Sequence, residues 1–341
     1  SIYIASSLND SISGGLIKAG YSFAADYSGT FQPNGGAVSI SGSTFSGFPF
    51  IRMNANNHFY NLVIDCDGAT SVRPLESDIK VVNDLIIESG ILSAHSHEIS
   101  LGGNWNNMVG PDAFSEGTGT VRFIGLQNSD ILNSEVFYHL QIEKTTTNSV
   151  EVMPWDSIIV RGDLDIIYGV LEFDVYSKLI VDGDINISGG RLDANDGYVT
   201  IIAGGDWYNG NPGNYGFDPG YFSHVIFRSD RSHTIHSNSP KEVFVDLSFY
   251  SDSAGVINYS SNCAIHVAGD LYVDRVELIS PSDLWLEGNL ATYNNAKVKG
   301  SGTFWFTGPY NQMFYSHNYY YSLWMDKVVI DKPGSVKWTP S

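Results

Sequence analysis

Three aspartates recur at nearly equal intervals, and this spacing is the first feature of the sequence that could carry chemistry. Asp163, Asp184 and Asp206 each follow a glycine and lie about 20 residues apart along the chain. If they occupy equivalent positions of successive turns, their carboxylates stack in a column, which is unfavourable unless water, protons or a cation relieve the repulsion. Hard oxygen ligands suit calcium, so the three aspartates form a candidate Ca²⁺ site. The alternative is that Gly-Asp is a corner pair that permits a tight bend.

The same column also raises glycoside chemistry, because retaining glycosidases hold two carboxyl groups about 5 to 5.5 Å apart. Any two acids stacked on adjacent turns meet that distance, so the spacing identifies no catalytic pair. The sequence also contains no Gly-x-Ser-x-Gly elbow, no Walker loop and no dinucleotide-binding loop. We therefore predict no catalytic residue, with a polysaccharide lyase or a glycoside hydrolase as the alternative.

A second candidate site is the stretch "DWYNGNPGNYGFDPGYF", which begins at Asp206. Exposed tyrosines among amide and acidic side chains can stack on sugars and hydrogen-bond to them. This pattern predicts a carbohydrate-binding surface. The alternative is an ordinary long loop over the core, since the counterpart "NWNNMVGPDAFSEGTG" lacks tyrosine. The candidate sugar-binding residues are Tyr208, Tyr215, Asp218 and Tyr221.

The elements that position these residues are set by an internal repeat. Four similar segments occur along the chain: "FYNLVID" at Phe59, "FYHLQIE" at Phe137, "FVDLSFY" at Phe244 and "YYSLWMD" at Tyr320. The first and third intervals between them are nearly equal, and the middle interval is longer. Corners that contain Gly-Asp or Asn recur at steps of about 20 residues, which divide the intervals into four, five and four turns.

Short alternating segments such as "IKVVNDLIIESGILS" cannot bury an apolar face alone, but they can when stacked on their copies. The sequence therefore predicts an all-β, right-handed parallel β-helix with turns of about 20 residues, hence about 17 turns. Trp105 and Trp207, which follow the corners, should point into the core. A β-propeller is the competing architecture, but the shorter sub-period and unequal intervals disfavour it.

We expect one continuous β-solenoid over residues 1–341. Its modules are listed here: 1–58 (partial), 59–136, 137–243, 244–319 and 320–341 (partial).

Charge and cysteine content exclude several classes of protein. The formal net charge is −19, with 37 acidic against 18 basic residues, which argues against nucleic acid and anionic lipid as partners. No apolar run reaches the length of a membrane span. Cys66 and Cys263 lie many predicted turns apart, so we expect both to be buried and not to form a disulfide with one another. No signal peptide is visible at Ser1, and we expect the chain to be a mature or excised piece of a longer protein.

The succession of "FYNL", "VVNDLIIESGILS", "LGGNWNN" and "FSEGTGTVRFIG" resembles the repeat modules of large secreted bacterial surface proteins. These include the gliding-associated adhesins exported by the type IX pathway. The resemblance covers essentially the whole chain, although the C-terminal sorting domain of that class is missing.

The resemblance implies a non-enzymatic, extracellular structural or adhesive segment, such as a stalk or fibre at the cell surface. Its expected partners are neighbouring modules of the same protein, further copies stacked end to end, and extracellular glycans. No cofactor other than the candidate Ca²⁺ is implied. The alternative function is that of a polysaccharide-binding or polysaccharide-degrading β-helix protein.

Overall fold

The structure, a computed structural model, confirms the predicted fold class. It describes residues 1–4, 12–26, 30–42, 49–66, 72–145, 147–212, 215–253, 257–317 and 323–340. Parallel strands stack coil upon coil into a β-solenoid of about 14 turns, with about 22 residues per turn. One 3₁₀ turn, Pro111–Ala113, interrupts the strands. Tyr320, which opens the fourth repeat, lies outside the described residues.

The strands of the first half of the chain are short, as expected for coils that bend at each corner. They are β1 Ile2–Tyr3, β2 Ser13–Ala19, β3 Phe23–Ala25, β4 Gly35–Ser41, β5 Ile51–Met53, β6 Asn61–Asp65, β7 Val72–Pro74, β8 Ile79–Val81, β9 Leu85–Ser89, β10 Ile91–Ser93, β11 Glu98–Leu101, β12 Trp105–Asn107, β13 Phe114–Ser115, β14 Thr120–Gly125, β15 Ser129–Leu132, β16 Glu135–Phe137, β17 His139–Lys144, β18 Ser149–Val152, β19 Ser157–Val160, β20 Leu164–Tyr168 and β21 Val170–Phe173.

The second half continues in the same way, with longer strands near its end. They are β22 Lys178–Val181, β23 Ile185–Ile187, β24 Arg191–Asp193, β25 Thr200–Ala203, β26 Trp207–Asn209, β27 Phe217–Asp218, β28 His224–Ser229, β29 His233–Ser237, β30 Lys241–Phe244, β31 Asp246–Ser251, β32 Ile257–Ser261, β33 Ala264–Val267, β34 Leu271–Asp274, β35 Val276–Ile279, β36 Leu284–Leu286, β37 Leu290–Tyr293, β38 Lys297–Phe306, β39 Gln312–His317, β40 Leu323–Ile330 and β41 Val336–Pro340.

The chain divides into two compact units. The first comprises Ser1–Gly162 with Tyr168–Glu172, and the second comprises Asp163–Ile167 with Phe173–Ser341. In the first unit the parallel sheets run β1-β3-β5, β7-β10-β13, β8-β11-β14-β17 and β16-β19, and the longest runs β2-β4-β6-β9-β12-β15-β18.

The second unit repeats this arrangement. Its sheets run β22-β25-β28-β31-β34-β37-β39-β41, β24-β27 and β20-β23-β26-β29-β32-β35-β38, and β30-β33-β36 joins the other side of the long strand β38. In both units, strands distant in sequence by one turn are neighbours in space, which defines a solenoid.

Strand register explains why the turn count predicted from the sequence was too high. Earlier in the modules, Leu85 pairs with Trp105 and Ile185 pairs with Trp207, so a turn there takes about 20 residues. The turn that precedes the next module boundary is longer. Trp105 pairs with Ile131 and Trp207 pairs with Ile235, so those turns take about 27 residues. The corner spacing alone therefore underestimates the mean turn length.

The core consists of the alternating inward residues of most strands, whereas β1 and β40 bury none. Trp105 and Trp207 are fully buried, as predicted. Trp105 stacks on Leu85 in the first unit, and Trp207 stacks on Ile185 in the second. Cys66 and Cys263 are both buried, and neither is in a disulfide, which confirms that prediction as well.

Candidate functional site

The aspartates of the candidate calcium site bind backbone amides of the next turn. The Asp184 amide donates to Asp163 Oδ1 at 2.9 Å, and the Asp206 amide donates to Asp184 Oδ1 at 2.8 Å. Asp206 Oδ1 in turn accepts the Thr234 amide at 2.9 Å. Each carboxylate therefore replaces a backbone acceptor at a corner where the chain turns away from the sheet.

The same ladder recurs wherever the corner motif recurs, and asparagine serves as well as aspartate. In the first unit, the backbone amides of Asp84, Asn104 and Asp130 each donate to the side-chain oxygen of the corner residue one turn earlier. The acceptors are Asn61, Asp84 and Asn104, in that order, at 2.8 to 3.0 Å. The second unit contains a second ladder. The side chains of Asp246, Asp270 and Asn289 accept the backbone amides of Asp270, Asn289 and Met313, in that order, at 2.7 to 2.9 Å. A neutral amide oxygen suffices, so the ladder does not depend on charge.

Where a glycine precedes the corner residue, four such glycines are required for space. A Cβ at Gly103 would lie 2.6 Å from Asp84 Oδ1, and one at Gly205, Gly269 or Gly288 would clash with Asp184, Asp246 or Asp270 in the same way. The Gly-Asp pair thus has two roles. The aspartate accepts the backbone amide of the next turn, and the glycine leaves room for the aspartate of the previous turn.

These contacts favour the corner role over the calcium site for Asp163, Asp184 and Asp206. One oxygen of each carboxylate is engaged by a backbone donor. Within the described ranges, no group of three or more His, Cys, Asp or Glu side chains is arranged to hold a metal ion. The structure stacks the three aspartates without assembling them into such a ligand set.

A buried acid, missed by our reading of the sequence, lies at the module boundary of the first unit. Glu135 is 1% exposed, and its Oε2 accepts the Trp105 indole N–H at 2.7 Å and the Asn107 side-chain amide at 2.8 Å. Its Oε1 accepts the Val136 amide at 2.9 Å. Burial raises the pKa of Glu135 to about 7, although these hydrogen bonds oppose that effect.

The second unit builds the same cluster from equivalent residues. Glu242 is 2% exposed and accepts the Trp207 indole N–H and the Asn209 amide, each at 3.1 Å. Burial also raises the pKa of Glu242. Each cluster lies where one parallel sheet ends, at β13 or β27, and the strand that carries the acid, β16 or β30, opens another. The acids therefore supply hydrogen-bond acceptors at an interruption of the ladder.

The first module boundary uses a neutral residue in the same place. Asn57 is buried, accepts the Phe31 amide at 2.8 Å and donates to the Ala25 carbonyl at 2.7 Å. Asn57, Glu135 and Glu242 all stand two residues before the phenylalanine that opens a module. The sequence could have revealed these buried residues by two signals. They share a position relative to the phenylalanine, and "EVF" is repeated at two of the boundaries.

A buried lysine in the first unit also has a structural role. Lys144 is 2% exposed and donates to the Gly102 carbonyl at 2.8 Å, the Gln127 carbonyl at 3.0 Å and Ser129 Oγ at 2.6 Å. Burial lowers the pKa of Lys144 to about 8. The ammonium group thus joins its own turn to the two turns before it, through two backbone carbonyls and one hydroxyl.

A cavity of about 210 Å³ lies beside the second cluster. Its lining includes Asn209, Asp218, Lys241 and Glu242, together with the apolar side chains of Phe217 and Pro219. It therefore brings one predicted sugar-binding residue, Asp218, next to a buried acid that the sequence did not single out.

The other predicted sugar-binding residues lie apart from the lining of this cavity. Tyr215 and Tyr221 are 76% and 79% exposed, as a binding surface requires. Tyr208 stacks one ring face on His236, with centroids 4.9 Å apart, so that face is occupied. An exposed stack of Tyr176, Tyr198 and Phe222, with centroids 5.1 and 4.8 Å apart, likewise turns its rings toward one another.

One further arrangement bears on the enzyme question. Ser229 Oγ lies 2.7 Å from His233 Nε2, and His233 Nδ1 lies 3.2 Å from Asp206 Oδ1, which is the hydrogen-bond order of a hydrolase triad. However, Ser229 is only 9% exposed and its Oγ also accepts the Arg231 amide. The corner serines Ser237 and Ser261 accept an amide two residues on in the same way. The geometry favours a structural corner over a nucleophile.

Comparison with known proteins adds no assignment. No protein-family model matches the chain, and no curated protein or solved structure is significantly similar to it. Among the described residues, no helix has the length and apolar character needed to cross a membrane.

Proposed function

We propose that this chain is a non-enzymatic structural segment of a large secreted bacterial surface protein, serving as a stalk or adhesive fibre outside the cell. The observation that carries the proposal is the corner ladder. The side chain of one turn binds the backbone of the next in three separate runs. The most conspicuous polar residues of the repeat are thereby used to join turns, as a scaffold requires.

The buried polar groups support the same proposal. Glu135, Glu242 and Lys144 are three deeply buried side chains whose pKa values are displaced by burial, as those of catalytic groups often are. Each instead accepts from or donates to groups that close a gap between turns.

The mechanical role can be tested by pulling the full chain between its termini in a single-molecule force instrument. A ladder that joins turns predicts unfolding in steps of one turn or one module, and each turn of about 22 residues releases roughly 75 Å of extended chain. Incubation with a panel of polysaccharides is the complementary test. Turnover of any of them would overturn the non-enzymatic proposal.

The terminal strands of the second unit support the proposed association with neighbouring modules or further copies. Val328 and Ile330 are in register with the core residues Phe304 and Phe306, yet they are 47% and 59% exposed. A further coil stacked on β40 would cover them. Light scattering and electron microscopy of the wild type and Ile330→Lys test this: fibres or higher oligomers should form, and the substitution should abolish them.

A second candidate function is glycan binding by the adhesive segment. The specific observation in its favour is the 210 Å³ cavity next to Asp218, in the loop whose tyrosines Tyr215 and Tyr221 are exposed. A glycan array tests this function directly: binding without turnover supports an adhesin.

A further inference from the structure

The cavity beside Glu242 occupies a break in the stack of the second unit. β27 is the last strand of its sheet, and β30, which carries Lys241 and Glu242, begins another. Glu242 is buried, whereas Asp218 and Lys241 are partly exposed. Glu242 therefore forms an acidic inner wall of the cavity, and Asp218 and Lys241 lie on its solvent side. Asp218 Oδ2 also lies 3.5 Å from Arg191 Nη1, and its Oδ1 accepts the Gly220 amide at 3.2 Å.

Backbone groups also face this break. The Leu192 and Ala194 amides donate to the Gly216 and Asp218 carbonyls, so those residues direct their peptide groups toward β24. Successive residues of a strand point their peptide groups to opposite sides. Phe217, which lines the cavity, therefore directs its N–H and C=O away from β24, on an edge that no other strand of the described residues extends.

The equivalent cluster of the first unit provides an internal comparison. It has the same tryptophan, asparagine and glutamate, but Ser115 stands where the second unit has Asp218, and Ser134 where it has Lys241. Ser134 donates to Asp156 at 2.9 Å. The module boundary can therefore be built without charged residues at these two positions. In the second unit Asp218 also pairs with Arg191, which stands where the first unit has Ile91.

The size and lining of the cavity define the ligand. A volume of 210 Å³ holds about seven waters at roughly 30 Å³ each, and it lies below the range of about 300 to 1,000 Å³ typical of drug-sized ligands. This suits one small ring, not a chain of them. The lining combines apolar faces, from Phe217 and Pro219, with carboxylate acceptors and an ammonium donor, the mixture that a ring bearing several hydroxyl groups requires.

We propose that this cavity is a subsite for a single neutral sugar ring, whose hydroxyls donate to the carboxylates of Asp218 and Glu242 and accept from the Lys241 ammonium. The inference deepens the glycan-binding candidate and does not depend on the stalk. Lys241 Nζ also lies 5.6 Å from the centre of the Trp285 ring, which holds the ammonium close to the protein surface.

The test is saturation-transfer NMR on the full chain, followed by calorimetric titration. The probes are the methyl glycosides of glucose, galactose, mannose and N-acetylglucosamine, with glycerol as the comparison polyol. At least one glycoside should bind with a millimolar Kd, as expected for a ligand of this size. Asp218→Asn and Lys241→Met should each raise that Kd about tenfold through loss of a charge-assisted hydrogen bond. Ser115→Ala, the matched control in the first unit, should leave it unchanged.

Three results would overturn the proposal. The first is no saturation transfer from any glycoside, and the second is transfer of equal strength from glycerol. The third is a glycoside Kd that neither substitution at the cavity alters, because the sugar would then bind elsewhere. That last result would leave the glycan-binding candidate standing while removing this site, so the two can be judged separately. Circular dichroism of both variants confirms that the fold is retained.

Discussion

Replacing Glu135 by glutamine should remove a pH-dependent part of the stability of the first unit. Burial raises the pKa of this carboxyl from 4.5 to about 7, so the folded state holds the proton more tightly than the unfolded state. The stability that results is fully present below pH 4.5 and is lost as the pH rises to about 7. At about 1.4 kcal/mol per pH unit, that interval corresponds to a loss of about 3 kcal/mol.

Glutamine keeps the shape of the side chain but cannot titrate. Its oxygen can accept from Trp105 and Asn107, but its NH₂ group then opposes the Val136 amide, which Glu135 Oε1 accepts. We therefore expect the variant to be less stable than the wild type at pH 4.5 by about 1 to 3 kcal/mol. The difference should shrink by about 3 kcal/mol as the pH approaches 7, because only the wild type loses stability at this position.

Hydrogen exchange measured by mass spectrometry in urea, on peptides that span β16, gives the opening free energy locally. It does not require the whole chain to unfold in one step. Other titrating groups are common to both proteins and cancel in the difference between them. Glu143→Gln, at a partly exposed glutamate paired with Arg122 at 3.1 Å, is the control and should retain the loss of stability that Glu135 causes between pH 4.5 and 7. Parallel wild-type and Glu135→Gln profiles, separated by a constant amount from pH 4.5 to 8, would refute the reasoning.

The corner ladder leads to three further predictions, all measured by thermal and urea unfolding of the full chain. Asp184→Ala leaves the Asp206 amide without its acceptor and should cost about 1 kcal/mol, whereas Asp184→Asn should be nearly neutral; equal losses would contradict the ladder. Gly205→Ala places a methyl group against Asp184 Oδ1 and should cost about 1 to 3 kcal/mol, whereas Gly20→Ala, with open space around it, should not. Melting curves in millimolar calcium and in chelator should coincide. A calcium site filled at a hundredfold excess over its Kd would stabilise the fold by about 2.7 kcal/mol, so a melting temperature several degrees higher in calcium would support the calcium hypothesis.

The parts of the fold that repeat were predictable from the sequence. The recurrence of Gly-Asp before an apolar residue indicated stacked corners, and the structure places Ile185 and Trp207 in one inward column. Repetition averages out local ambiguity, because a residue type that keeps its place in several turns must satisfy a shared environment. The same comparison showed that Asn104 can replace aspartate at the corner, which favoured a turn role before any geometry was known.

The parts that do not repeat regularly were not predictable. Glu135 and Glu242 were missed because we began each module at the phenylalanine two residues later, although "EVF" is present at both boundaries. The cavity depends on where hydrogen bonding between strands stops, and no residue type marks that point. The approach of His233 to Ser229 depends on the path of one short turn, which an alternating apolar pattern leaves undetermined.

The corner ladder has a direction along the chain. Every acceptor side chain belongs to the earlier turn and every amide donor to the later one, as with Asp163 and Asp184. A chain that emerges N-terminus first, from a ribosome or an export channel, would display each acceptor before its donor appears. At the corner, an unfinished coil would then present a carboxylate or amide oxygen that water can hydrate until the amide of the next turn reaches it. Such a chain could assemble in its order of emergence, each coil guiding the arrival of the next.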